Sequence, residues 1–427
     1  MTDGQKIRRF PVAMTEFRGA RRLLAERIGP VAVISLAQLF GTSLWFSANG
    51  AASGITRAWH ASAGDIGWLT SAVQVGFILG TLAMSMRGNA DRFRASSIFV
   101  WSAIFGAIFN AMFALLATGI VSGVICRFLV GVCLAGIYPI GMKLVVSWAP
   151  EKTGPALAQL VAMLTLGSGL PHALKAMGTN LPWQAIIGAS SVLALLAALL
   201  IFVLGDRTHE RGPLDGHVMV KGSSSPGLLD TFRRADFRAA ALGYFGHMWE
   251  LYAFWTLVPL YVAHSSLAIS GHAGGASGLA FLIFVAGSAG CLAGGVLSRR
   301  FGSARVAAGA LAISGTCCVL FALVWRDGSA PWLLTLLLVW GATVIADSPQ
   351  FSALSADACP PELVGSALAI QNAIGFALTV VSISAATALF ERIGLDSTWL
   401  LAIGPVAGLI GFAPAFRRGT CRDGSAT

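Results

Sequence analysis

Residues 295–305 read GVLSRRFGSAR, three arginines within seven positions, and the 48 residues that end at Ser298 contain no Asp, Glu, Lys or Arg. A membrane-spanning helix needs about 20 apolar residues. A charge-free run of that length therefore suffices for two crossings, and the basic knot marks the point where the chain regains the membrane surface. Across the whole chain 11% of residues are charged and 56% hydrophobic, with a mean hydropathy of +0.75, whereas roughly a quarter of residues are charged in soluble domains. The sequence is that of an all-α integral membrane protein. Its net charge of +10 lies in short clusters between apolar runs and not along one soluble face, so topology accounts for it and a nucleic-acid partner is not expected.

Reading outward from the knot by charge-free runs predicts twelve transmembrane helices. Spans one and two fall at about 28–56 and 66–86, span three begins at 95, and span four continues through Arg127 to about 148. Spans five and six follow at 153–174 and 176–205, then a polar break at 206–238. Spans seven to twelve take about 239–262, 275–297, 306–325, 331–354, 363–390 and 397–416. With the N-terminus inside, 23 of the 29 Lys and Arg fall in cytoplasmic segments and only Arg57, Lys175, Arg326 and Arg392 fall outside. The bias of short loops toward Lys and Arg on the cytoplasmic side predicts that both termini are cytoplasmic. No small-residue cleavage site precedes the first span, so residues 1–29 are expected to be a cytoplasmic extension and not a cleaved signal. The seven Cys call for no disulfide.

The chain also repeats itself. Leu39-Phe40-Gly41 recurs as Tyr244-Phe245-Gly246, Asp91-Arg92-Phe93 as Arg299-Arg300-Phe301, Pro139 as Pro349, and Gly154-Pro-Ala-Leu-Ala158 as Gly365-Ser-Ala-Leu-Ala369. The offsets rise only from 205 to 211, as expected of a duplicated six-helix unit. Six spans return the chain to its starting side, so the copies share one orientation about an axis along the membrane normal, an arrangement found in transporters that rock two halves about a midplane site. The expected organisation is an extension (1–29), one bundle (30–204), a cytoplasmic loop (205–238), a second bundle (239–416) and a tail (417–427).

Gly295, Arg299, Arg300 and Gly302 are spaced like the cytoplasmic loop signature of the major facilitator superfamily, and Gly88, Asp91 and Arg92 form a partial copy between spans two and three. Arg127-Phe-Leu-Val-Gly131, followed by Gly136, Pro139 and Gly141, resembles the family's fourth-helix motif. The resemblance covers about residues 30–416. It implies alternating access, a cavity lined by helices one, four, seven and ten, and gating loops that hold Asp91, Arg92, Arg299 and Arg300. An acidic residue in the signature helps stabilise an outward-open state in the family; Asp91 supplies one in the first copy, and Arg299 stands in its place in the second. The alternative is that these arginines only obey the charge bias of cytoplasmic loops.

Ionisable groups within spans are costly and mark function by default. Arg127, Glu250 and Asp347 lead, on spans four, seven and ten. The planar fork of Arg127 suits a carboxylate of the substrate or of the protein. Glu250 lies mid-span in His247-Met-Trp-Glu-Leu-Tyr252; a carboxyl removed from water can exist neutral and so carry a proton. His247, three residues earlier, is within helical pairing distance and either shares that proton or packs in the core. Asp347 precedes Ser348 and Pro349, where a proline can break the helix at a site. Lys143 either faces the cavity or snorkels. Trp45, Asn49 and Gln74 are either polar and aromatic contacts or packing residues.

Two cations in span four beside acids in spans seven and ten suit uptake of a small organic or inorganic anion together with protons. Drug exporters of the superfamily carry a Gly-Pro pair in span five, whereas in Gly167-Ser-Gly-Leu-Pro-His172 Leu170 separates glycine from proline, which weighs against the alternative, a proton-exchange exporter of amphipathic compounds. A transporter-like sensor is the remote third reading. No nucleotide loop, metal-ligand spacing or nucleophile–base pair is present, so no enzyme activity and no cofactor are expected. The expected partners are a small substrate, protons and the lipid bilayer, with a monomer in the cell membrane.

Overall fold

The computed structural model describes residues 24–86, 93–178, 181–207, 228–269, 274–360 and 363–423, and among them there is no strand. In hydrocarbon each backbone N–H and C=O must find a partner inside the protein, which a helix achieves within one segment. The first part of the chain forms α1 (Pro30–Thr42), α2 (Ser47–Gly50), α3 (Ala52–Trp59), α4 (Ala63–Met86), α5 (Ala95–Leu116), α6 (Ile120–Ala135), α7 (Tyr138–Trp148), α8 (Thr153–Met177) and α9 (Trp183–Leu204). The second part forms α10 (Leu228–Arg233), α11 (Ala235–Ala263), α12 (Gly275–Phe301), α13 (Ser303–Val324), α14 (Ala330–Ala346), α15 (Ser348–Asp357), α16 (Val364–Ile393) and α17 (Ile403–Asp423).

Nine segments among the described residues are long and apolar enough to cross a membrane, the last of them, Val364–Pro414, taking in α16 and the start of α17. The helices at the expected spans one and seven are not in that set. At 29 residues α11 is long enough, but its middle carries His247, Trp249, Glu250 and Tyr252. Span one is cut short because α1 stops at Thr42 and the chain turns at 43–46 before α2.

Three expected spans are broken in the middle, and two breaks have a proline on their far side. Pro139 opens α7 after the Gly136–Ile137 interruption of span four, and Pro349 opens α15 after Asp347 interrupts span ten. Proline lacks the N–H that a first helical turn leaves unpaired, so it fits a helix that restarts. The two prolines are the repeat pair found in the sequence. The span-one break has none. There Thr42 and Ser43 turn their hydroxyls onto the carbonyls of Gln38 (2.8 Å) and Phe40 (2.7 Å), which competes with continued helix.

Packing follows the repeat. In the first part α4 packs on α6, and α9 on α5 and α1, while α8 packs on α1; in the second, α12 packs on α14, and α17 on α13 and α11, while α16 packs on α11. The α4–α6 approach depends on two glycines, because a Cβ on Gly76 would meet the Phe128 carbonyl and one on Gly131 the Val73 carbonyl. Two large contacts join the parts, α16 against α4 and α12 against α8. The turn between α12 and α13 is a single residue, Gly302, at φ 81°, a left-handed backbone that glycine adopts at no steric cost. Cys126, Cys133, Cys291, Cys317, Cys318 and Cys359 are free and buried.

Candidate functional site

A cavity of about 870 Å3 lies between the two parts. Its wall runs from Tyr252 and Phe376, in the middle of α11 and α16, to Arg299, Ser303 and Gly154 at the ends of α12, α13 and α8. The lining is apolar and aromatic, with Tyr138, Tyr244 and Tyr252 among its rings, and carries a few uncharged polar groups, Gln159, Ser348, Gln350 and Asn372. Arg299 is its one Asp, Glu, Lys, Arg or His among the described residues. Span one supplies none of the lining, while α8, α12 and α16 supply much of it. This corrects the expectation of a cavity walled by spans one, four, seven and ten. The close α8–α12 and α4–α16 contacts bring spans five, eight and eleven to the interface, and span one instead reaches the closed end.

That end is shut by rings from both parts. Trp45 lies 5.0 Å from Phe77, 5.6 Å from Tyr252 and 5.8 Å from Phe376. Phe46 meets the edge of Trp255 at 5.8 Å and of Phe284 at 6.1 Å, and Phe77 and Phe376 approach to 4.5 Å across the α4–α16 contact. Such ring pairs contribute roughly 0.5–1.5 kcal/mol each beyond buried area. Beyond the rings, Ser71 and Ser384 hydroxyls are 3.2 Å apart and Gly64 N–H donates to Glu391 Oε1 at 2.6 Å. The α8–α12 contact is tied by the Ser288 hydroxyl, which donates to the Ala162 carbonyl at 2.9 Å.

The buried residues singled out in the sequence stand around the cavity and not in its lining. Arg127 is buried, and its two Nη atoms donate to Ser47 Oγ (2.9 Å), Asn110 Oδ1 (3.0 Å), Leu44 O (3.0 Å) and Trp45 O (2.5 Å), with the Phe113 ring at 5.9 Å. Its partners are uncharged, and two of them are carbonyls freed by the span-one break. Gln74 Oε1 accepts the Trp45 indole N–H at 3.1 Å, and Asn49 exchanges hydrogen bonds with Thr70 at 3.0 and 3.2 Å. Both pairs knit span one to span two. Lys143 is exposed and outside the lining.

Glu250 is enclosed between α13 and α14, where Ser314 Oγ donates to Oε2 at 2.9 Å and Trp340 Nε1 to Oε1 at 2.8 Å. His247 turns away from it. Its Nδ1 lies 2.8 Å from Asp347 Oδ1, both side chains buried, in an alignment short of a regular hydrogen bond. Asp347 is the joint between α14 and α15, and its neighbours Ile345 and Ser348 line the cavity, as do Tyr244 and Met248 beside His247. The His247–Asp347 pair thus sits directly behind the wall. Arg300 lies 5.4 Å over the Phe301 ring, while Asp91 and Arg92 lie outside the described residues.

Sequence reasoning passed over Tyr138, Tyr244 and the amides, and took Tyr252 only as a neighbour of Glu250 on the same helix. One signal was available: tyrosine occurs four times in 427 residues, only in spans four and seven, and three of the four line the cavity.

The family profile of the Major Facilitator Superfamily matches residues 34–383. The chain belongs to that superfamily. As a superfamily member it is a multi-pass membrane transporter and not an enzyme. It is also similar to the 3-(3-hydroxy-phenyl)propionate transporter of Escherichia coli strain K12, 31% identical over 157 residues, 35% of this chain and 37% of that one. The chain thus spans little more than a third of the length of the curated relative it matches.

Proposed function

We propose that this transporter takes up a small organic anion together with protons, by alternating access of two six-helix bundles at 30–204 and 239–416, in the cytoplasmic membrane with both termini inside. The observation that carries the reading is a cavity shut at one end by rings of both parts and reaching the surface at the other, with the His247–Asp347 pair behind its wall. Under the charge bias of the loops the surface end faces the cytoplasm, so the molecule stands in an inward-facing state. Protonation of Asp347 removes the charge on which its pairing with His247 depends. Because Asp347 is also the joint of span ten, proton binding and helix geometry are coupled at one residue. The relative's named cargo is an aromatic carboxylate, and the rings of Tyr138, Tyr244, Tyr252 and Phe376 suit such a body.

Purified protein in proteoliposomes, offered labelled 3-(3-hydroxyphenyl)propionate under a pH gradient of each sign, tests this. Accumulation is expected when the outside is acidic. Accumulation driven by an acidic lumen would replace symport with proton-exchange export, and absence of counterflow would leave the sensor reading.

A further inference from the structure

We infer that Arg299 binds the carboxylate of the cargo at the mouth of the cavity, and that the cargo is a monoanion with an apolar body and its charge at one end. The inference rests on the anion-uptake reading and adds the residue that recognises the charge and the direction in which the cargo lies.

The three arginines of the knot are turned to different tasks. Arg300 covers the Phe301 ring at 5.4 Å, and Arg305 Nη1 reaches the Phe301 carbonyl at 3.5 Å. Arg299 makes no hydrogen bond or ion pair with another described residue. It instead shares the cavity-facing side of α12 with Leu292, Gly295 and Val296, the three- and four-residue spacing of one helix face. Its chain neighbours in the lining include Ser298 and Ser303, small residues that leave room for a guanidinium to meet a ligand. Deeper in, no formally charged side chain of the described residues lines the wall, since Glu250, Asp347 and Arg127 are all enclosed behind it.

A charge carried deep into such a lining would find only neutral amides and hydroxyls, whereas an apolar body is matched by rings and methionines there. The favoured arrangement places the body against Tyr252 and Phe376 and the carboxylate toward Arg299, whose planar fork fits two carboxylate oxygens. The inequality of the two loop copies then has a reason. The first copy carries Asp91 where the second carries Arg299; an acid at 299 would repel an anion from the cavity mouth.

The test uses full-length protein in nanodiscs and two probes of one shape, 3-phenylpropionate and its uncharged amide, with affinities read by calorimetry. Arg299→Gln is expected to weaken the carboxylate about three- to fivefold, as befits a partly solvated ion pair, and to leave the amide unchanged. Arg299→Lys should fall between, and Arg300→Gln, which removes the same charge one residue away, should match wild type. Unchanged carboxylate affinity in Arg299→Gln, an equal loss in Arg300→Gln, or an equal loss for the amide would each overturn the assignment of Arg299 while leaving anion uptake standing. Failure of wild type to bind the carboxylate would overturn both. The melting temperature of each variant, expected to equal wild type at this exposed position, separates loss of binding from loss of fold.

Discussion

Arg127 shows how a residue chosen for its charge can be engaged through its geometry. Its Nη donors reach two carbonyls and two side-chain oxygens, and the carbonyls are free because span one breaks at 43–46. The second copy lacks the break, α11 running whole from Ala235 to Ala263. At the offset of the Pro139–Pro349 pair, Arg127 corresponds to Leu337, so the arginine and the break occur together and are absent together. Lysine keeps the charge but cannot span four acceptors, and each buried acceptor left without a donor costs about 1–3 kcal/mol. Arg127→Lys is therefore expected to lose about 2–4 kcal/mol in an unfolding titration, whereas a residue that only contacted cargo would change the half-saturation and leave unfolding alone. Glu250 invites the opposite substitution. Gln at 250 keeps the shape and an acceptor for Trp340, but cannot take up and release a proton. Glu250→Gln should abolish proton-driven accumulation and retain counterflow; wild-type accumulation would remove Glu250 from the coupling.

At the scale of the element, helix ends outside the membrane carry their own electrostatics. Asp206, just beyond α9, accepts from the Ser96 N–H (2.9 Å), the Ser96 hydroxyl (2.7 Å) and Arg94 Nε (2.9 Å), so one helix end caps the start of α5. Partial burial opposes its ionisation, but those donors outweigh it and hold the carboxyl below its usual range. A carboxylate depressed in the folded state contributes stability above its unfolded value, near pH 4, and loses it as pH falls through the folded value. Asp206→Asn is expected to cost about 1 kcal/mol at pH 7 and to flatten the fall in melting temperature below about pH 4. Most of the apolar helices were legible from run length, and of the three breaks the one at Pro349 was expected, while Pro139 was read only as its repeat partner. The span-one break was not, since no proline marks it and the guanidinium that takes up its freed carbonyls belongs to Arg127, 80 residues away from Ser47. The His247–Asp347 pair was hidden for a similar reason: spacing on one helix brings His247 near Glu250, but a three-residue step leaves the side chains some 60° apart, aimed at different neighbours.

At the scale of the whole molecule, alternating access requires α4 and α16 to part at the ring-closed end during each cycle. Beyond the Phe77–Phe376 ring pair their contact there is made by small and polar groups, with Gly67 against Thr387, Ser71 against Ser384 and Gly64 against Glu391. The serine hydroxyls at 3.2 Å stand close enough for the paired substitution Ser71→Cys with Ser384→Cys to form a disulfide, which needs Cβ atoms roughly 3.5–4.5 Å apart. Six of the seven native thiols, those of Cys126, Cys133, Cys291, Cys317, Cys318 and Cys359, are buried and compete little for the oxidant. Oxidised double variant should lose at least about nine-tenths of its counterflow, because one covalent bond of tens of kcal/mol cannot be undone by a conformational change worth a few. Reduction should restore it, and each single variant should be indifferent to oxidant. Binding of 3-phenylpropionate at the open end of the cavity, the cytoplasmic side in the proposed orientation, should survive the cross-link, since the cavity reaches the surface with the seam closed. Full transport by the cross-linked protein would mean that the two parts do not separate at α4 and α16, and would set aside alternating access in the form argued from this structure.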